Sequence, residues 1–172
     1  MTYSIQKFFK YGLDRDIPEL IEPSGNRHLN IGPGDRKIVH GTIGVGKGAL
    51  ADIDWWHPDP LPFSDNTVNS IHAYQFLEHF NGEDAIRLLR ECERVLVPGG
   101  VMFITTPYFN SQHQSQALDH KSQWSEETWD WLFGNEYYQD HGGWKLKVHA
   151  CFLMAVVYRN LDLFTQLVKD DK

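Results

Sequence analysis

The stretch from Asn69 to Thr105 constrains this chain more than any other. Asn81 is suited to cap a helix, and Glu83 and Asp84 follow in the first turn, where the positive end of the helix dipole favours acids. Ala85, Leu89, Cys92 and Leu96 recur at helical spacing. Pro98-Gly99-Gly100 stops the helix, and the apolar run Val101–Thr105 (VMFIT) follows at once. Before the helix lies a strand pattern, Asn69–Tyr74 (NSIHAY), entered through the turn residues Ser64-Asp65-Asn66. Strand, helix and strand in this order commit the chain to the α/β class and to a mostly parallel sheet.

The remaining pattern extends that alternation. Arg27–Ile31 reads as a strand running into Gly32. Lys37–Ile43 (KIVHGTI) and Ala49–Ile53 are further strand candidates. Ser125–Phe133 reads as a second helix, capped by Ser125. Lys145–Val157 alternates and reads as a long strand, whereas Leu163, Leu167 and Val168 tilt Asn160–Lys169 toward a helix over a strand. The expected fold is Rossmann-like: a mostly parallel sheet, antiparallel near its carboxyl-terminal end, with helices on both faces and reduced in size. With 172 residues, 41% of them hydrophobic, residues 1–172 form a single expected domain.

A formal charge of -7 argues against a general nucleic-acid binder and against an anionic membrane surface, since both need a positive footprint. Cys92 and Cys151 match no zinc or redox spacing and read as small buried hydrophobes. The amino-terminal MTYSIQKFFKYG lacks the apolar core of a signal peptide, so the cytoplasm is the expected compartment.

In open α/β sheets ligands bind beyond the carboxyl ends of the strands. That rule points to Gly32–Asp35, Asp52–Trp56, Tyr74–His79 and Thr106–Asn110. Two glycine-rich loops compete within this set. Gly32-Pro33-Gly34-Asp35 follows a strand, and its glycines permit positive φ and close backbone approach. Gly41–Gly48 (GTIGVGKG) nearly spells a phosphate-cradling P-loop, with Gly48 where a magnesium-binding hydroxyl belongs. A nucleotide binder built on Gly41–Gly48 is therefore one expectation.

From Leu61 to Phe109 an ordered series appears: Leu61-Pro62-Phe63, Asp65-Asn66, Leu77-Glu78-His79, Arg90-Glu91, Arg94-Val95-Leu96, Pro98-Gly99-Gly100 and Thr106-Pro107. The series resembles the second half of the class I S-adenosylmethionine-dependent methyltransferase family. The resemblance implies S-adenosylmethionine as cofactor, with Gly32, Pro33, Gly34, Asp52, Asp54, Tyr74 and Gln75 as its binding residues. The first half departs from the family pattern. Arg36 replaces a third glycine, Asn30 stands where an acid is common, and four glycines between Arg36 and Gly48 oppose the usual helix. Asp52 fits the ribose-binding acid by count. If KIVHGTI is the second strand, however, no acid ends it, and Asp52 and Asp54 close the third.

Nine histidines punctuate the chain. His28, His40, His72 and His149 lie in strand patterns and read as structural. His113, Asp119 and His120 cluster after the VMFIT strand, where the resemblance places the active site. They suit bracing, acid–base catalysis with His120 or His113 oriented by Asp119, or divalent-metal ligation. Acid–base work is the assignment carried forward, with no metal centre. The tryptophans supply faces for adenine or sugar stacking, although Trp129 and Phe133 sit at core spacing. The expected function is methyl transfer to a small-molecule or glycan-like acceptor; the alternative is a methyltransferase-like binding module without catalysis.

Overall fold

A computed structural model describes residues 20–34, 39–134, 144–156 and 160–170. Seven strands form one sheet: β1 (His28–Ile31), β2 (Ile43–Gly46), β3 (Ile53–Asp54), β4 (Val68–Tyr74), β5 (Leu96–Pro107), β6 (Leu146–Val156) and β7 (Asn160–Lys169). Their spatial order is β3-β2-β1-β4-β5-β7-β6. The first five neighbours pair in parallel, and β7 inserts antiparallel between β5 and β6. The mixed sheet matches the expected class.

The helix foreseen after Asn81 is α1 (Gly82–Val95). The Asn81 side chain accepts from the Asp84 N–H at 2.9 Å, as a cap should. Ala85, Leu88, Leu89 and Cys92 are buried along its inner stripe. Two short helices follow β5, α2 (Gln112–Gln116) and α3 (Glu126–Gly134). Leu88, Leu89, Trp129 and Leu132 join Leu29, Ile31, Ile71, Met102, Ile104, Leu163 and Leu167 in the main core, on one face of the sheet. The other face carries a smaller cluster, Val101, Phe103 and Phe164, with Ile21 and Phe152 against it. Among the described residues no helix packs on that second cluster, and the amino-terminal segment MTYSIQKFFKYG lies outside the described residues.

Charged side chains lock the crossover from β3 into β4. The Arg94 guanidinium donates to the carbonyls of Phe63 (2.9 Å) and Leu61 (3.1 Å) and to Asp65 (2.8 Å), while the Leu61 N–H donates to Glu91. The Lys169 ammonium donates to the Glu93 and Leu96 carbonyls, closing the carboxyl end of α1 where a cation is favoured.

Three expectations need correction. Of KIVHGTI, Lys37 and Ile38 lie outside the described residues, Val39–Thr42 forms no strand, and β2 begins at Ile43 and runs on to Gly46. The strand foreseen over Ala49–Ile53 shrinks to Ile53–Asp54. Asn160–Lys169 is a strand, not a helix. It lies inside the sheet with both faces covered, so apolar residues fall on both sides and blur the period-2 pattern.

Candidate active site

The carboxyl ends of the neighbouring parallel strands β1, β4 and β5 lie at one end of the sheet, and the sequence-predicted residues distribute around it. After β1, Gly32 and Gly34 both take left-handed φ, +67° and +53°. A Cβ on Gly32 would strike the Phe76 ring at 2.2 Å, whereas one on Gly34 would enter open space. Gly34 is thus the point where the loop presents bare backbone outward. At the end of β1 the Asn30 side chain is buried, and its Nδ2 has no hydrogen-bond partner among the described residues.

Asp52 serves the backbone. Its carboxylate accepts from the Gly44 N–H at 2.7 Å, and its own N–H donates to the Gly44 carbonyl at 2.8 Å, tying the β2–β3 connection to β2. Gly44 is glycine because a Cβ there would meet the Leu50 carbonyl oxygen at 2.5 Å. Asp54 ends β3 with its side chain exposed and paired with Lys47. Residue 47, directly beyond β2, is therefore a lysine, and no acid ends that strand. The P-loop expectation fails on the same segment. Gly41–Gly48 contains β2, and no helix starts at its end, so it lacks the strand–loop–helix geometry that cradles phosphate.

Tyr74 ends β4, and its hydroxyl lies 2.9 Å from His72 Nδ1. A chain of contacts continues along that face from His72 to Ser70 and from Ser70 to His28 at 2.8 Å. His72 stacks on Phe103, and burial pushes its pKa down to about 3, so the ring is neutral. Gln75, at φ +52°, directs its amide toward β5 and β7, donating to Asp162 (3.1 Å) and Thr105 (3.3 Å).

The histidine cluster is rearranged relative to expectation. Asp119 does not orient His120 or His113 through a hydrogen bond; its carboxylate contacts His79 Nδ1 at 3.1 Å. His113 Nδ1 lies 3.0 Å from Asp162, at the start of β7. His120 Nδ1 donates to the Gln114 carbonyl at 3.2 Å, and burial lowers its pKa. The His113 and His120 rings are 6.3 Å apart, and His79 and His120 5.1 Å. Beneath them sits Glu78, wholly buried, with neither carboxylate oxygen hydrogen-bonded among the described residues. Desolvation raises its pKa to about 8. The Glu78 carbonyl accepts from the Lys121 and Ser122 N–H groups at 2.7 and 3.1 Å, which pins the His120 loop over it.

Sequence reasoning missed Asp162 and the role of Gln75, because the partners lie on different strands. By sequence, Glu78 and His79 suit an acid–base pair or, as adjacent residues at a strand–helix junction, a brace for the loop; their meeting with His120 was missed. The signal available was the adjacency of Leu77-Glu78-His79 to a strand's carboxyl end.

Residues 43–104 match the family model described as a methyltransferase domain. A SAM-dependent methyltransferase from Methanosarcina mazei superposes with a TM-score of 0.63 at 13% identity, covering 99% of each chain. One from Archaeoglobus fulgidus gives 0.63 at 15% identity, covering 96% of this chain and 91% of that one. The [4+2]-cyclase SpnF gives 0.56 at 14% identity, covering 86% and 76%. These likenesses concern the fold, and one fold hosts several reactions. No curated protein matches the sequence.

S-adenosylmethionine is the cofactor of the matched family. The outward backbone of Gly34 and the unpaired buried amide of Asn30 fit its amino-acid end, a zwitterion that needs close backbone approach and buried polar partners. The match over β2–β5 and the likeness of the whole fold make this chain similar to the S-adenosylmethionine-dependent methyltransferases, with the family model itself spanning residues 43–104.

Proposed function

We propose that this chain methylates a hydroxyl of a small-molecule or glycan-like acceptor. The observation that carries the reading is the Asp162–His113 pair, placed by β7 and α2 beside the carboxyl ends of β4 and β5. A hydroxyl must lose its proton as it attacks, and an imidazole is suited to take it. Asp162 fixes His113 through Nδ1 and leaves Nε2 for the acceptor. Gln75 holds the other Asp162 oxygen, so the carboxylate cannot swing away.

The cofactor supplies an activated methyl group on a sulfonium. The backbone of Gly32–Gly34 and the Asn30 amide would hold its amino-acid end, with Tyr74 and Gln75 at the carboxyl end of β4 beside it. Transfer is an in-line displacement, so the protein's main work is positioning. The acidic chain favours an uncharged or cationic acceptor over nucleic acid.

The test is transfer of labelled methyl from S-adenosylmethionine to a panel of hydroxylated small molecules and sugars. His113→Ala is expected to lower turnover about 100-fold or more while cofactor affinity stays within about twofold. Equal turnover in that variant removes the base assignment. Tight binding of S-adenosylhomocysteine with no transfer to any acceptor favours the binding-module alternative, for which the missing acid after β2 already speaks.

A further inference from the structure

Glu78, His79 and His120 each bring one ligand atom to within 4.8 Å of the others. Three independent features surround that group. Glu78 is fully buried, and its two oxygens face no hydrogen-bond donor among the described residues, a costly arrangement for an isolated carboxyl group. His79 Nδ1 lies 3.1 Å from the Asp119 carboxylate, and His120 Nδ1 donates to the Gln114 carbonyl. Metal-binding histidines are commonly oriented this way: one ring nitrogen is held by a carboxylate or a backbone carbonyl, and the other is left for the ion. Finally, the backbone clamp from Lys121 and Ser122 to Glu78 ties the His120 segment to the short 3-10 helix Leu77–His79 that follows β4.

We propose that Glu78, His79 and His120 form a binding site for a divalent first-row transition metal. Two imidazoles and one carboxylate are the donor set of borderline cations such as Zn2+, whereas Mg2+ and Ca2+ prefer oxygen alone. Bonds to Zn2+ are about 2.0–2.2 Å, which sets donor atoms roughly 3.4 Å apart. The donor atoms now lie within 4.8 Å of one another. Three protein ligands leave at least one position open, and the His113 ring lies 6.3 Å from that of His120. An acceptor hydroxyl bound there becomes more acidic, as metal-bound water does, and is easier for His113 to deprotonate. That role rests on the methyltransferase reading; the site itself does not.

The experiment is calorimetric titration of the whole metal-stripped chain with Zn2+, repeated with Co2+ and read by its visible absorption. Titration with S-adenosylhomocysteine runs in parallel on the same preparations. One ion per chain is expected, at micromolar affinity or better, with cobalt bands of a four- or five-coordinate centre. Glu78→Gln and His120→Ala are expected to weaken binding at least tenfold, and Asp119→Asn by 10- to 100-fold. His113→Ala leaves metal affinity within twofold. Retained S-adenosylhomocysteine binding shows that each variant is folded. No saturable binding at 100 μM metal overturns the site, as does affinity unchanged in Glu78→Gln and His120→Ala, which would assign the ion to other histidines. Metal binding without S-adenosylhomocysteine binding keeps the site and removes the methyltransferase reading. The reverse result removes the site alone.

Discussion

The two halves of the sheet are built to different standards. Strands β1, β2 and β3 have four, four and two residues, while β4, β5, β6 and β7 have seven, twelve, eleven and ten. The long strands carry α1 and α3 on a shared apolar core. The short ones add only Leu29, Ile31 and Val45 as fully buried side chains to that core, and lean on strand pairing and on single side chains such as Asp52. The turn proposed to hold the cofactor belongs to the thin half, and the Glu78, His79, His113, His120 and Asp162 cluster to the thick half. The proposed acceptor end is thus built on the long strands, and the proposed cofactor end on the short ones.

Core truncation is the strongest way to break this contrast. Leu88→Ala, wholly buried in α1, is expected to cost about 3–5 kcal/mol in denaturant unfolding. Ile43→Ala, partly buried in β2, should cost no more than about 1–2 kcal/mol. Equal losses would mean that the halves are equally packed.

His72 tests the seam between them, since it stacks on β5 and reaches β1 through Ser70. Its folded pKa of about 3 lies below the ordinary 6.5, so between these values the unfolded chain binds the proton and the folded chain does not. Stability contributed by the neutral ring is complete above pH 6.5 and is lost as pH falls. Between pH 7.5 and 5.0 the wild type should lose about 2 kcal/mol more than His72→Phe. Parallel pH profiles would show that His72 is not the group responsible.

The smallest effect is expected at Asp54. Exposed and paired with Lys47, it should tolerate Asp54→Asn with S-adenosylhomocysteine affinity changed less than about twofold. A tenfold loss would restore Asp54 to the cofactor site and weaken the picture of a thin half.

The same contrast governs what could be read from sequence. α1 was legible because its cap, acidic first turn, apolar stripe and Pro-Gly-Gly stop all agree. The Leu61–Phe109 series was legible because its order is fixed by a local strand–helix–strand unit. β2 was misplaced because its glycines look like a loop: Gly44 has no side chain because the Leu50 carbonyl folds back onto that space, which only the folded β2–β3 connection reveals. β7 was ambiguous because apolar residues face both layers of the core. In the candidate site, His113 and His120 were found as residues, but their partners were not. Asp162 lies 49 residues from His113 and on another strand, so only the antiparallel insertion of β7 reveals the pair.

The central claim is that the thin half still binds the family's cofactor through the turn after β1. Calorimetric titration of the whole chain with S-adenosylhomocysteine, alongside Gly34→Val, tests it most directly. Valine at a left-handed φ costs about 1–3 kcal/mol and fills the open backbone face, so affinity should fall at least tenfold from a micromolar wild-type value. No binding by the wild type at millimolar ligand, or equal affinity in Gly34→Val, would contradict the account.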